Sequence, residues 1–148
     1  TPHDKIPEGL SEGKSYGFHR PLENDEILIT SDTLVLCGDR VMGKPHSREE
    51  AIDMLRFLSG REHKVITAIT LRDSQTCITS SDTAYVHFKE LSDNEIEYYV
   101  DTYKPFDKAG AYGIQEWLGC IGVKNINGSF YNVMGLPLHR LYTELKEF

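Results

Sequence analysis

The sequence predicts an α/β protein: a single mixed β-sheet flanked by helices, in one domain spanning residues 1–148. Three observations lead there. Two strongly capped amphipathic helices alternate with β-branched apolar runs. The alternation lacks the strict strand–helix–strand repeat of a fully parallel sheet. No internal repeat or low-complexity linker divides the 148 residues, a length usual for one domain.

The elements follow in order. Residues 1–25 are polar and rich in Gly and Pro, with helical character only near Leu10 to Phe18. Glu26 to Thr30 is a short β-prone run that is expected to end at Ser31-Asp32-Thr33. Leu34 to Cys37 and Arg40 to Met42 flank Gly38-Asp39, which suggests a small hairpin. Ser47 to Leu58 reads as a helix. Ser47 and Glu50 have capping-box spacing, and Ala51, Met54, Leu55 and Leu58 share one face, with Gly60 placed to end it. Lys64 to Leu71 and Thr76 to Phe88 form a long hairpin across Asp73-Ser74. Ser92 to Tyr103 is a second helix, capped by Ser92 and Glu95 and stopped by Pro105. An irregular loop, DKAGAYGIQ at 107–115, precedes a strand expected near Cys120 to Ile126 and a turn at Asn127-Gly128. Pro137 suits a first helical turn, and Leu138, Leu141, Tyr142 and Leu145 line a closing amphipathic helix.

Composition excludes several classes. Hydrophobic residues are 39% and charged residues 26%, as in a water-soluble globular domain. No apolar run reaches the ~18–20 residues of a membrane span, and no secretory pattern is present. Three cysteines, without C-x-x-C spacing, argue against a disulfide framework and fit a reducing cytoplasm. The six histidines show no zinc-ligand spacing. A net charge of −7 without a basic patch argues against a nucleic-acid polymer as partner. A small anionic substrate remains compatible if lysines or a metal concentrate positive charge locally.

The chemistry-bearing residues lie between the regular elements. Asp32 either caps a turn or stands at the mouth of the sheet, where a carboxylate activates water or holds a divalent metal. Lys44, in Gly43-Lys44-Pro45, is a lysine on a stiffened turn, suited to phosphate or simply to solvent; the run is not a P-loop. Arg61 and His63 either bind phosphate or secure the helix-to-strand corner. Gln115 carries donors and an acceptor able to read a nucleobase edge, in a loop of the kind on which sites are built. Phe130 to Pro137 reads as packing and capping, with Tyr131 as a less favoured stacking platform.

Taken in register, the words S-D-T, G-K-P, L-S-G-R-x-H-x-V-x-T (Leu58 to Thr67), D-K-A-G-A-Y-G-I-Q and N-V-x-G-L-P-L (Asn132 to Leu138) resemble the Maf family of nucleoside triphosphate pyrophosphatases. The resemblance runs from about Lys14 to the C-terminus. It implies a fold of the Maf and inosine-triphosphatase-like kind. It also implies hydrolysis of a nucleoside triphosphate to the monophosphate and pyrophosphate with a divalent cation, Mg²⁺ or alternatively Mn²⁺, in nucleotide-pool housekeeping. In that reading Asp32 is the general base and a candidate metal ligand. Lys44 and Lys14 stabilise phosphate charge, and Lys108 and Arg61 support phosphate or loop. Thr33 and Gln115 resemble the branch acting on dTTP, UTP and related modified pyrimidines. The family further implies a homodimer.

One departure stands out. The family's S-x-S-x-R-R strand and helix has no match here, and Arg20 is not a substitute. Two expectations follow: an uncovered sheet edge beside the absent strand, and weak or no activity from these 148 residues alone. The alternative function is therefore an inactive remnant that binds nucleotide or a protein partner. A purely structural domain is the third reading.

Overall fold

Five strands hydrogen-bond in the order β2-β1-β3-β4-β5, every pairing antiparallel, in a computed structural model that describes residues 6–18, 20–128 and 138–147. The single sheet flanked by helices is as expected. Its strands, however, are antiparallel throughout among the described residues, where a mixed sheet was expected. Two of the four pairings follow from their connections: hairpins join β1 to β2 and β3 to β4, and a hairpin admits only antiparallel neighbours. The elements are α1 (Ile6–Tyr16), β1 (Leu28–Cys37), β2 (Arg40–Met42), α2 (Arg48–Leu58), β3 (Glu62–Arg72), β4 (Cys77–Phe88), α3 (Asp93–Tyr103), a 3₁₀ turn (Ala109–Ala111), α4 (Trp117–Gly122), β5 (Val123–Asn127) and α5 (Leu138–Glu147).

β1 does not break at Ser31-Asp32-Thr33. It runs unbroken against β3, from Leu28 opposite Arg72 to Leu36 opposite Lys64. Polar residues are tolerated mid-strand because each face offers a partner: Lys14 for Asp32, and Thr67 for Thr33. β2 covers only Val35 to Cys37 on the opposite side. The outer edge of β1 from Leu28 to Leu34 thus has no strand partner among the described residues.

The helices form as their caps dictate. Ser92 and Glu95 make a complete reciprocal capping box on α3. At α2 only half forms: Ser47 accepts from the Glu50 amide, while the Glu50 carboxylate turns to His46. Gly60 ends the turn after α2 at φ 68°, a conformation that favours glycine. A second difference concerns Cys120 to Gly122, which close α4 as helix rather than open a strand; β5 starts at Val123. The helix is closed by its own bond, the Cys120 amide donating to the Glu116 carbonyl at 3.2 Å, and packs tightly on the preceding loop. Gly119 lies against the carbonyl of Ile114, an approach that any side chain would block.

The main core fills one face of the sheet. Val35, Val65, Val86 and Phe88 meet Leu55 and Leu58 of α2, Ile96 and Tyr99 of α3, and Tyr112 and Leu118. Burying each large apolar side chain contributes roughly 1.5–3 kcal/mol relative to exposure. The other face receives α1 through small polar side chains. Ser11 and Ser15, both fully buried, are one helical turn apart. The Ser11 hydroxyl donates to the Thr30 carbonyl and pairs with Thr70, while Arg72 donates to both the hydroxyl and the carbonyl of Ser15. In α5, Tyr142 and Leu145 remain exposed, so the amphipathic stripe expected there is not a buried face at those positions. The words from Phe130 to Pro137, with Tyr131, lie outside the described residues.

Candidate active site

The uncovered stretch of β1 opens into a cavity of about 270 Å³, lined by Lys14, Ser31, Asp32, Thr33, Val35, Lys44, Val65, Asp107, Lys108, Ala109, Tyr112, Gly113 and Gln115. That volume is close to the ~300 Å³ lower end of small-molecule pockets. The walls come from α1, β1, β3, the turn after β2 and the loop after α3.

Each wall is positioned locally. The buried serine stripe holds α1 on the sheet, so Lys14, one residue before Ser15, projects over β1. Its Nζ donates to Asp32 Oδ1 at 2.7 Å and to the Ser31 carbonyl at 2.9 Å. Only Oδ1 of the Asp32 carboxylate is engaged among the described residues, and the side chain is 17% exposed. Thr33 points to the other face, its hydroxyl 3.0 Å from that of Thr67.

The loops carrying Lys44 and Lys108 are tied together. The Gly110 amide donates to the Gly43 carbonyl at 3.1 Å. Gly110 adopts φ 72°, and a Cβ there would press on the Val35 side chain at 3.1 Å. Glycine is therefore required where this loop crosses β1. Lys108 Nζ lies 3.3 Å from Asp107 and 3.8 Å from Glu116. The Lys108 hydrogen bond, with Lys44 adding to it, holds the Asp107 carboxyl below its ordinary range.

Deeper in the loop, the Tyr112 hydroxyl meets His63 Nε2 at 2.7 Å inside a cluster of edge-to-face contacts with Phe88. Burial lowers the His63 pKa to about 4, so the ring is neutral at pH 7. His63 Nδ1 is buried without a hydrogen-bond partner among the described residues. Gln115 is exposed on the wall, and its amide makes no side-chain hydrogen bond among the described residues.

The structure thus gathers Asp32, Lys14, Lys44, Lys108, Thr33 and Gln115 around one cavity. Arg61 is elsewhere. Its guanidinium lies over the Phe57 ring at 4.4 Å, at the corner between α2 and β3, the alternative that the sequence offered beside phosphate support. Asp32 itself sits mid-strand at an uncovered edge rather than at a strand end. Sequence reasoning missed Asp107, Ser31, Val35 and Val65 as lining residues, and missed Tyr99 and Glu116 beneath the loop. Asp107 is the first residue of the motif that was singled out, and Glu116 follows its last. Nothing in the periodicity of β1 and β3 marks Val35 and Val65 as anything but core.

Three lysines against two aspartates make the cavity locally cationic in a chain of net charge −7, suited to a compact polyanion beside a weakly apolar wall. Among the described residues no group of three or more His, Cys, Asp or Glu is placed to hold a metal ion. Mg²⁺ commonly needs only one or two carboxylates plus substrate phosphates. Asp32, with one oxygen unengaged, fits that arrangement, and Asp107 lines the same cavity.

Known proteins resemble this chain over nearly its whole length. A dTTP/UTP pyrophosphatase from Bacteroides thetaiotaomicron is 50% identical over 143 residues, covering 97% of this chain and 74% of its own. One from Parabacteroides distasonis is 51% identical over 144 residues, covering 97% and 75%. One from Porphyromonas gingivalis is 46% identical over 147 residues, covering 98% and 74%. The chain thus spans about three quarters of the length of these relatives. No described helix is long and apolar enough to cross a membrane. The model of the Maf-like proteins matches residues 1–148, and the chain belongs to the Maf family.

Proposed function

We propose that this protein hydrolyses dTTP and UTP to the nucleoside monophosphate and pyrophosphate. One observation carries the reading: Asp32, three lysines and the Thr33–Gln115 pair converge on one cavity, in a chain about half identical to dTTP/UTP pyrophosphatases. Asp32 takes a proton from water as its oxygen bonds to the α-phosphorus. The bond from that phosphorus to the α–β bridging oxygen breaks, and pyrophosphate leaves. Lys14 shifts from Asp32 toward the phosphates, and Lys44 and Lys108 meet the remaining charge. Such chemistry needs positioned water and concentrated positive charge more than covalent catalysis.

Thr33 and Gln115 read the base. A pyrimidine offers two carbonyl acceptors around an N–H, and a glutamine amide matches part of that pattern. Mg²⁺, or Mn²⁺ in its place, would be held by Asp32 and the substrate phosphates and would supply neutralisation of developing charge. The cation, the homodimer and the modified-pyrimidine substrates rest on the family resemblance, and the cytoplasmic setting rests on the three cysteines without disulfide spacing.

The test is pyrophosphate release from a panel of nucleoside triphosphates with Mg²⁺. Release from dTTP and UTP ahead of purine nucleotides is expected. UTP binding in calorimetry without release would overturn the hydrolytic reading in favour of a binding remnant. Neither binding nor release would leave the cavity without a nucleotide role.

A further inference from the structure

Tyr99 lies on α3, outside the cavity, and is fully buried in the main core. Its ring stacks on Tyr103, which accounts for its packing. Packing does not account for its hydroxyl. That group donates to Glu116 Oε1 at 2.8 Å and accepts from the Gly113 amide at 3.1 Å. Gly113 and Glu116 bracket Gln115, and the Glu116 amide returns to the Gly113 carbonyl at 3.0 Å. One buried hydroxyl therefore closes, from below, the turn that presents Gln115 above. Glu116 reaches onward to Lys108. A Cβ on residue 113 would meet Glu116 Oε1 and Lys108 Cε, each at 2.7 Å, so glycine there lets the carboxylate fold over the turn. Burial raises the Tyr99 pKa far above the ordinary phenol range, which keeps the hydroxyl a donor.

We propose that Tyr99, through Glu116 and the Gly113 amide, is a positioning residue that holds Gln115 at the cavity wall and thereby sets pyrimidine recognition. This rests on the reading of Gln115 under the proposed function. A ~1 Å displacement of a recognition group can cost on the order of 10²-fold in rate, so a hydroxyl two residues removed from the ligand has leverage.

The experiment uses Tyr99→Phe, which keeps the ring and removes the hydroxyl. KM for UTP is expected to rise about tenfold with kcat changed less than threefold, the signature of lost uniform binding. A merely structural role would lower the active fraction, and so apparent kcat, at unchanged KM, and that result overturns the proposal. Glu116→Gln retains an oxygen that accepts from Tyr99 and is expected to keep the wild-type KM, whereas Glu116→Ala shares the tyrosine variant's defect. Equal KM in the two Glu116 variants also overturns it, and this pair serves if Tyr99→Phe folds poorly. Amide exchange at Gly113 to Glu116 is measured on the same proteins without nucleotide, and at least tenfold faster exchange is expected in Tyr99→Phe. Wild-type exchange there refutes the positioning role even in an active enzyme. Accelerated exchange in a chain that hydrolyses nothing refutes the recognition role and the proposed function, and leaves the clamp on the loop.

Discussion

At the scale of the residue, the proposed site centres on one carboxylate and its neighbours. Asp32 is held by Lys14 at 2.7 Å and faces a cavity whose other cations come from separate loops. Asp32→Asn keeps the shape and removes the proton acceptor. Pyrophosphate release from UTP is expected to fall by about 10²-fold or more, the usual scale for a general base, with the circular dichroism of the fold unchanged. Turnover within a few-fold of the parent protein would remove Asp32 from that role. Gln115→Glu is a different probe, because it exchanges a donor for a second acceptor. Loss on dTTP and UTP should exceed loss on other nucleotides, and a uniform loss across the panel would argue against base recognition at this position.

At the scale of the element, glycines separate into those the fold requires and those it merely admits. Gly119 of α4 lies so close to Ile114 that an added Cβ would stand 2.7 Å from the Ile114 Cα. Gly119→Ala must push α4 away from the Gly113–Glu116 turn, at a cost of about 1–3 kcal/mol or more. Gly9 is the opposite case: it lies inside α1, and nothing stands within 4 Å of a Cβ there. Gly9→Ala should stabilise by up to about 1 kcal/mol through helix propensity and a less flexible unfolded chain. Urea midpoints of the two variants should therefore move in opposite directions. Equal shifts would mean that the approach of α4 to Ile114 is not a constraint.

At the scale of the whole molecule, the buried His63 couples stability to pH. Its pKa falls from an ordinary 6.5 to about 4 in the folded protein, because burial penalises the charged ring. Between those values the unfolded chain binds more protons than the folded one. Stability is then complete above pH 6.5 and is lost progressively as pH falls toward about 4, by on the order of 3 kcal/mol. Urea titrations at several pH values should show this slope, and His63→Gln should flatten it; an unchanged slope would assign the loss to other groups. The cationic cavity predicts a second global property. KM for UTP should rise with ionic strength, since part of the attraction between exposed lysines and a polyanion is screened over ~8–10 Å at physiological salt. A KM independent of salt would count against lysine–phosphate contact.

Much of this protein was legible in the sequence wherever the signal is local. The motif words around Asp32, Lys44 and Gln115 were read through their resemblance to the Maf family. The caps Ser47 and Ser92, the β3–β4 hairpin and the apolar faces of α2 and α3 are set by neighbours within a few residues. They express capping, periodicity and turn chemistry. What the sequence could not decide depends on partners far away in the chain. β1 continues through Asp32 because β3 and α1 supply partners for its polar residues. α4 packs against the preceding loop through the approach of Gly119 to Ile114, a contact that strand-like composition at Cys120 to Gly122 does not reveal. α1 docks through Ser11 and Ser15, a stripe that hydrophobic periodicity does not register. Arg61 goes to Phe57 rather than to the cavity. By itself the sequence determined most of the helices and hairpins, and it nominated Asp32, Lys44 and Gln115 as candidates for the site. Only the tertiary structure decided that α1, an uncovered strand edge and two hydrogen-bonded loops share one cavity, because long-range contacts, not local preference, bring those segments together.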